Sequence, residues 1–265
     1  MESFVDREAV VSIDLGWSKK NLKRTAEAWC RAGGSVCWTQ PGEPFEILSF
    51  LELFRGTRTL VLLDIPVHGT SLLSPSRPFR PLDRALASLG MPILPSCKAG
   101  NYGASLAEVI LERFTGFKVV ESYPYAVLRF LWAARREPSC LSGPLKPVVD
   151  VSGFMRDWPP KYKRSTVRIE WVRHMSSVLA VTVEFLDAGI PHELLPEVSM
   201  GAGRLNAMCD TYDALLGLVV GLQAAPGSTW FFPASLGDDG AMIPLLLDTN
   251  LREKWDSIML SFPSG

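Results

Sequence analysis

Three short apolar runs, each of which ends on a carboxylate, constrain the fold of this chain more than any other feature. The runs are VVSIDLG, TLVLLDIP and KVVESYP, and they close on Asp14, Asp64 and Glu121. Short runs that are apolar throughout are typical of strands buried on both faces. Helical patterns separate them, which favours an α/β fold. Because ligands bind at the carboxyl ends of strands in such sheets, we expect these three carboxylates to share one site.

The segment Leu22 to Ala32 has two interpretations. Taken alone, it can form a short helix. It follows a strand, however, and precedes Gly33-Gly34 and the β-rich stretch SVCWTQ, so it can also be the middle strand of a meander. The meander is the interpretation that we favour.

Apolar residues at helical spacing predict helices at residues 42–56, 82–89, 105–114 and 204–225. The last of these carries Asp210 and Asp213 at positions i and i+3, which places both on one helix face. The stretch STWFFPASLGDDGAMIPLLL then predicts a C-terminal hairpin with its turn at Gly237 to Gly240. We expect residues 1–265 to form a single domain, with an insertion at about residues 69–104 and a Pro- and Gly-rich connector at about residues 137–160.

The composition limits the classes of function that the protein can have. The chain has 265 residues, of which 47% are hydrophobic, so it can bury a substantial core. Its formal net charge of -1 gives no global positive field, and nucleic acid would have to bind through local patches. The five cysteines are scattered and form no C-x-x-C pair, and no apolar run reaches membrane-spanning length. We therefore expect reduced cysteines, no membrane partner and a cytoplasmic location.

A cluster of carboxylates needs a neutralising partner, because burying like charges together is costly unless cations bind or a proton is retained. Hard oxygen ligands favour Mg²⁺ or Mn²⁺. The three histidines, His68, His174 and His192, have no zinc-ligand spacing. The sequence therefore predicts a divalent-cation site formed by carboxylates.

The motifs that carry a family resemblance follow one another along most of the chain, from about Val10 to Leu246. They are SIDLGWSKKN, LLDIPV, RPLDRALASLG, VVESYPYAVL, PPKYKR, DTYDALLGL and STWFFPASLGDDGAMIP. An Asp-ended first strand, a second Asp-ended strand and a late helix with D-x-x-D-A-L resemble the RNase H-like superfamily, and the late helix is most similar to its resolvase branch. In their order and spacing, the motifs together resemble the domain-of-unknown-function family 429, a group described as predicted RNase H-like nucleases.

This resemblance implies a five-stranded mixed sheet whose first three strands are antiparallel, with helices on both faces and an acidic metal centre. By the same resemblance, Asp14 would bridge two Mg²⁺ or Mn²⁺ ions, Asp64 and Glu121 would lie beside it, and Asp213, helped by Asp210, would complete the site. The family pattern usually takes a glutamate from the first helix. Glu46 and Glu52 lie in no such motif, so whether Asp64 or Glu121 supplies the second ligand stays open.

Two metal ions can activate water on one side of a phosphodiester and stabilise the leaving oxygen on the other, so the first functional hypothesis is a metal-dependent nuclease. Basic residues near the motifs are candidate phosphate contacts, and Trp17 or Tyr162 can stack on a base. The basic candidates are Lys19, Lys20, Arg80, Arg84, Lys161, Lys163 and Arg164.

Two other classes of function stay open. The related actin-like folds, which bind nucleotides and transfer or hydrolyse phosphoryl groups, also begin with a strand, an Asp and a Gly. Of their paired phosphate loops, however, the sequence DLGWS matches only the first. A catalytically inactive module that binds nucleic acid or protein is the third possibility, and it is compatible with the near-neutral charge.

Overall fold

The computed structural model describes most of the residues of the chain. They are 7–15, 25–39, 46–67, 79–88, 102–135, 148–150, 159–163, 166–186, 188–189, 191–223, 241–242 and 245–247, with the single positions 253 and 257.

Within the described residues, eight strands form two sheets. They are β1 (Ala9–Asp14), β2 (Ala26–Arg31), β3 (Cys37–Trp38), β4 (Thr59–Leu63), β5 (Phe117–Ser122), β6 (Val148–Asp150), β7 (Ala241–Met242) and β8 (Leu245–Leu247). The main sheet has six strands in the order β3-β2-β1-β4-β5-β7, and β6 pairs with β8 in a separate small sheet.

The main sheet is mixed. Strand β2 is antiparallel to both β1 and β3, whereas β4 is parallel to both β1 and β5. The meander interpretation is therefore correct, and five strands with the first three antiparallel occur as expected. The turn between β2 and β3 contains Gly33 at a φ of 71°, a left-handed conformation that glycine adopts without steric cost. A sixth strand, β7, adds a short parallel pair at the edge of β5.

Helices cover both faces of the main sheet. They are α1 (Ile47–Leu51), α2 (Pro81–Ser88), α3 (Tyr102–Arg113), α4 (Pro124–Ala134), α5 (Arg168–Phe185) and α6 (Ala202–Gln223). Alternate residues of β1 and β4 point to opposite faces of the sheet. One set packs with side chains of α4, α5 and α6, and the other packs with side chains of α1 and α3. Burial on both faces explains why these strands are apolar throughout.

Helix α1 is shorter than the predicted helix at residues 42–56. It begins after Glu46, whose carboxylate accepts hydrogen bonds from the backbone N–H groups of Leu48 and Ser49. A 3₁₀ turn over Glu52–Phe54 follows it, and Glu52 forms ion pairs with Arg55 and Arg113. Both glutamates of this region thus have local structural partners.

Helix α6 is long and apolar enough, by length and composition alone, to cross a membrane, with a mean hydropathy of 1.2. In the protein, 83% of that apolar window is buried. The helix packs on β1, β2 and β4 and against α4 and α5. Its hydrophobicity is that of a central core helix.

The second arm of the predicted C-terminal hairpin contains two short strands. Strand β7 pairs in parallel with β5, and β8 pairs in parallel with β6. The predicted turn at residues 237–240 and the arm before it lie outside the described residues. Strand β6 itself belongs to the stretch expected to be only a connector, residues 137–160, so this region contributes a strand to the fold.

A candidate metal centre of three aspartates

Three aspartates from distant parts of the chain lie together at the carboxyl-terminal ends of the central strands of the main sheet. One carboxylate oxygen each from Asp14, Asp64 and Asp213 lies within 4.8 Å of the other two. Asp14 ends β1, and Asp64 directly follows the neighbouring parallel strand β4. Because parallel neighbours end at the same edge, these two side chains are brought together by the sheet alone. Asp213 comes from α6.

Two glycines let α6 approach the sheet closely. A Cβ atom at Gly217 would overlap the Ser12 hydroxyl and lie 3.3 Å from the Ser12 Cβ. A Cβ atom at Gly221 would lie 2.5 Å from the Val10 Cγ1 and 2.6 Å from the Leu62 Cδ1. Real Cβ atoms do not approach other atoms this closely, so the contact between helix and sheet requires glycine at both positions.

The same packing sets the position of Asp213. Asp213, Gly217 and Gly221 are four residues apart and form one stripe along the helix. Four helical residues rise about 6 Å, and two strand residues rise about 6.7 Å. Because Gly221 lies over the start of β1 and Gly217 lies two residues further along, the next member of the stripe, Asp213, falls beside Asp14. The glycine stripe therefore places the third carboxylate.

A short segment, residues 159–163, covers the aspartates with a phenol and an ammonium group. The buried Tyr162 donates its hydroxyl hydrogen to Asp213 Oδ1, and its backbone carbonyl accepts a hydrogen bond from Trp171 Nε1 at 2.5 Å. Lys163 Nζ forms an ion pair with Asp213 Oδ2 and lies 4.0 Å from Asp14 Oδ2. Both oxygens of Asp213 thus have a partner in this segment.

The aspartates are strongly perturbed by their surroundings. Burial, followed by the charges of Asp213 and Asp64, raises the pKa of Asp14 well above its ordinary value, against the opposing effect of Lys163. Burial and the charge of Asp213 raise the pKa of Asp64 to about 8. The raised pKa values favour retention of a proton by Asp14 or Asp64 when no further cation is bound.

Lys163 is the resident positive charge of the cluster. Partial burial by itself would lower the pKa of its ammonium group, but the charges of Asp213, Asp14 and Asp64 outweigh this effect and raise the pKa well above its ordinary value. Its side chain is still 45% exposed, so it faces both the carboxylates and solvent.

Glu121, the third strand-end carboxylate, has a different set of partners. Both of its oxygens accept hydrogen bonds of 2.7 Å from Arg80, and Oε2 also accepts one of 3.2 Å from the Val67 N–H. Arg80 is 1% exposed and also binds Asp83, at the start of α2. The expectation that Arg80 contacts phosphate is therefore corrected, because its guanidinium is enclosed by two carboxylates.

The remaining predicted residues fall into three groups. Asp210 is buried one turn before Asp213, and its charge contributes to the raised pKa of Asp14, although it is not one of the three converging aspartates. Arg84 and Lys161 are exposed. Four candidates lie outside the described residues, namely Trp17, Lys19, Lys20 and Arg164.

Sequence reasoning missed several features of this site. Tyr162 was expected to stack on a base, but its ring is 4% exposed and its hydroxyl serves Asp213. The ion pair of Lys163 with two aspartates and the enclosure of Arg80 by Asp83 and Glu121 also went unrecognised. One signal was present in the sequence, since Asp213, Gly217 and Gly221 recur every four residues and small residues at that spacing indicate a close helix contact.

Comparisons of the chain with protein-family models, with curated proteins and with solved structures gave no match. The class of protein is therefore indicated by the fold and the site alone. They define an α/β protein with a mixed sheet and a buried carboxylate centre at the ends of its parallel strands.

The donor set fits a hard divalent cation. All three converging ligands are carboxylates, which Mg²⁺ and Mn²⁺ prefer over nitrogen or sulfur. The ammonium of Lys163 is paired with two of the three aspartates and compensates part of their negative charge. Asp14, Asp64 and Asp213 are the residues that would hold the ion.

Proposed function

We propose that this protein is a divalent-metal-dependent phosphodiesterase with an RNase H-like fold, that is, a nuclease. The observation that carries the proposal is the convergence of Asp14, Asp64 and Asp213 within 4.8 Å, from two parallel strand ends and one helix. The antiparallel first three strands and the parallel strands beside them support the RNase H-like assignment.

The residues of the site divide the work of phosphodiester hydrolysis. Asp14 and Asp64 are positioned by the sheet and Asp213 by α6, and together they would hold the cation. A bound divalent ion supplies Lewis acidity, which activates water and neutralises charge on the scissile phosphate. Tyr162 fixes the orientation of the Asp213 carboxylate through its hydrogen bond to Oδ1. No nucleophilic side chain is required, because such chemistry depends on positioning and charge neutralisation.

Lys163 lies on the solvent side of the aspartates. Lys163 faces both the carboxylates and solvent, and Lys161, two residues earlier, is exposed. The Lys161 carbonyl oxygen lies 3.0 Å from His174 Nδ1, which ties this part of the segment to α5. A phosphodiester approaching the centre would meet the ammonium of Lys163, and this local charge is the basis on which we infer nucleic acid as the substrate.

The test is a cleavage assay with Mg²⁺ or Mn²⁺ on DNA, RNA, hybrid and branched substrates. We expect cleavage by the wild-type protein and loss of at least about 100-fold in rate for Asp14→Asn, because a metal ligand is removed. Glu170→Gln is a matched control, since it also neutralises one carboxylate but lies exposed on α5. Absence of cleavage on every substrate, combined with ATP binding by calorimetry, would favour a nucleotide phosphotransferase of the actin-like type instead.

A further inference from the structure

Among the described residues, three carboxylates converge on the centre, and neither Asp210 nor Glu121 is among them. Glu121, the natural candidate for a fourth ligand, has both oxygens bound to Arg80 at 2.7 Å. The Arg80 guanidinium is itself held by Asp83 and enclosed in the core. Releasing Glu121 toward a metal would leave a buried arginine with one carboxylate fewer, which is unfavourable.

Both oxygens of the Asp213 carboxylate also have partners. Its Oδ1 accepts the hydroxyl hydrogen of Tyr162 and its Oδ2 pairs with the ammonium of Lys163. Each oxygen of a carboxylate has two lone pairs, so one remains on each atom. Asp213 therefore keeps the capacity to ligate one ion, while the space between Asp213 Oδ2 and Asp14 Oδ2 is taken by the lysine.

Lys163 is held in this position by its neighbour. The Tyr162 carbonyl accepts hydrogen bonds from Trp171 Nε1 at 2.5 Å and from Cys209 Sγ at 3.2 Å. With the tyrosine hydroxyl bound to Asp213, the residue is fixed at both its backbone and its side chain. The ammonium of the next residue is consequently anchored over the aspartates.

We propose that this centre binds a single divalent cation, and that the ammonium group of Lys163 supplies the second positive charge that a second ion would otherwise provide. Asp14, Asp64 and Asp213 would hold the cation, and Lys163 would keep its place between Asp14 and Asp213. In the hydrolysis of a phosphodiester, the ammonium then contacts a phosphate oxygen from the solvent side. This inference rests on the proposed function, and it replaces the expected pair of ions with one ion and one lysine.

The experiment counts bound ions without measuring cleavage. Metal-free protein is titrated with Mn²⁺, and free Mn²⁺ is followed by electron paramagnetic resonance. We expect saturation at one ion per wild-type chain, with no spin-coupled Mn²⁺ pair. Lys163→Met, which removes the charge and keeps much of the side-chain length, should admit a second ion, whereas Lys163→Arg should retain a stoichiometry of one.

Lys161→Met is the matched control, because it removes an exposed lysine two residues away and should also retain one ion. Circular dichroism and thermal unfolding establish that each variant is folded. Two ions per wild-type chain, or one ion per chain in a folded Lys163→Met variant, would overturn the inference about Lys163 and leave the proposed metal-dependent function standing. Failure of the wild-type protein to bind any Mn²⁺ would overturn both.

Discussion

Gly217 of α6 lies so close to Ser12 of β1 that a Cβ atom added to the glycine would overlap the serine hydroxyl. This contact lies one helical turn from Asp213 and two residues along the strand from Asp14. The distance between helix and strand at Gly217 therefore controls the distance between two of the three proposed metal ligands. A single contact in the core thus affects the geometry of the candidate site.

The first prediction concerns this contact. We expect Gly217→Ala to destabilise the protein by about 1–3 kcal/mol, because an extra methyl group in a closely packed core forces the backbone or neighbouring side chains to move. The same movement should shift Asp213 away from Asp14 and weaken Mn²⁺ binding. Urea unfolding and Mn²⁺ titration measure the two effects.

Gly203→Ala is the control for this prediction. It lies near the start of the same helix, and a Cβ atom there would have no neighbour within 4 Å. Replacement of an open helical glycine by alanine stabilises a helix, by up to about 1 kcal/mol. If both alanine variants had the same effect on stability, the close approach at Gly217 would not be the cause.

The second prediction concerns the buried ion cluster of Arg80. Arg80→Met should destabilise the protein by about 3–5 kcal/mol, because the carboxylates of Asp83 and Glu121 would remain buried without their cation. Arg84→Met, at an exposed position of α2, should change stability by less than about 0.5 kcal/mol. Denaturant unfolding compares the two variants. A loss for Arg80→Met no greater than that for Arg84→Met would contradict the assigned role.

The third prediction concerns the pH dependence of stability in metal-free protein. The pKa of Asp64 is about 8 in the folded protein and 3.8 ordinarily, so the folded state binds more protons between these values. Stability contributed by this group therefore falls as the pH rises across that interval. Asp14, whose pKa is raised in the same direction, adds to the fall. The raised pKa of Lys163 adds stability that is constant here and is lost only above its ordinary value of 10.5.

Asp64→Asn tests this pH dependence, because the amide mimics the neutral carboxyl group. At pH 8 we expect the variant to be more stable than the wild-type protein in the presence of EDTA, by about 1 kcal/mol or more. Its stability should also fall less steeply with pH. Urea unfolding of both proteins at several pH values gives the comparison, and parallel curves would show that Asp64 does not titrate as described.

The fourth prediction concerns stabilisation by metal. A cation that binds the folded state at 100 times its dissociation constant should stabilise it by about 2.7 kcal/mol. Mg²⁺ or Mn²⁺ should therefore raise the melting temperature of the wild-type protein, and EDTA should reverse the change. Asp213→Asn should lose most of this gain, because one of the three ligands is weakened. An equal gain in the variant would place the binding of metal elsewhere.

The sequence was sufficient for the features that depend on local pattern. Runs such as VVSID and TLVLLD identified buried strands and the carboxylates at their ends, and parallel pairing of those strands then brings Asp14 and Asp64 together. The spacing of apolar residues also identified α6 and its aspartates. The pairing of residues 241–247 with β5 and β6 was not predicted, because a local turn signal does not determine which distant strand a short segment pairs with.

The roles of individual side chains were decided only by the tertiary structure. Asp64 and Glu121 both belong to apolar runs, but Glu121 is in register with Leu63, so its side chain points to the face of the sheet opposite to that of Asp64. Arg80, 41 residues before Glu121 in the chain, donates hydrogen bonds to both oxygens of its carboxylate. Asp64 instead lies beside Asp14 and Asp213. The residues around Lys163 in the sequence are typical of an exposed lysine, yet its ammonium group forms an ion pair with Asp213. Sequence pattern determines where a carboxylate enters the fold, whereas the charges that three-dimensional packing places around it determine what that carboxylate can bind.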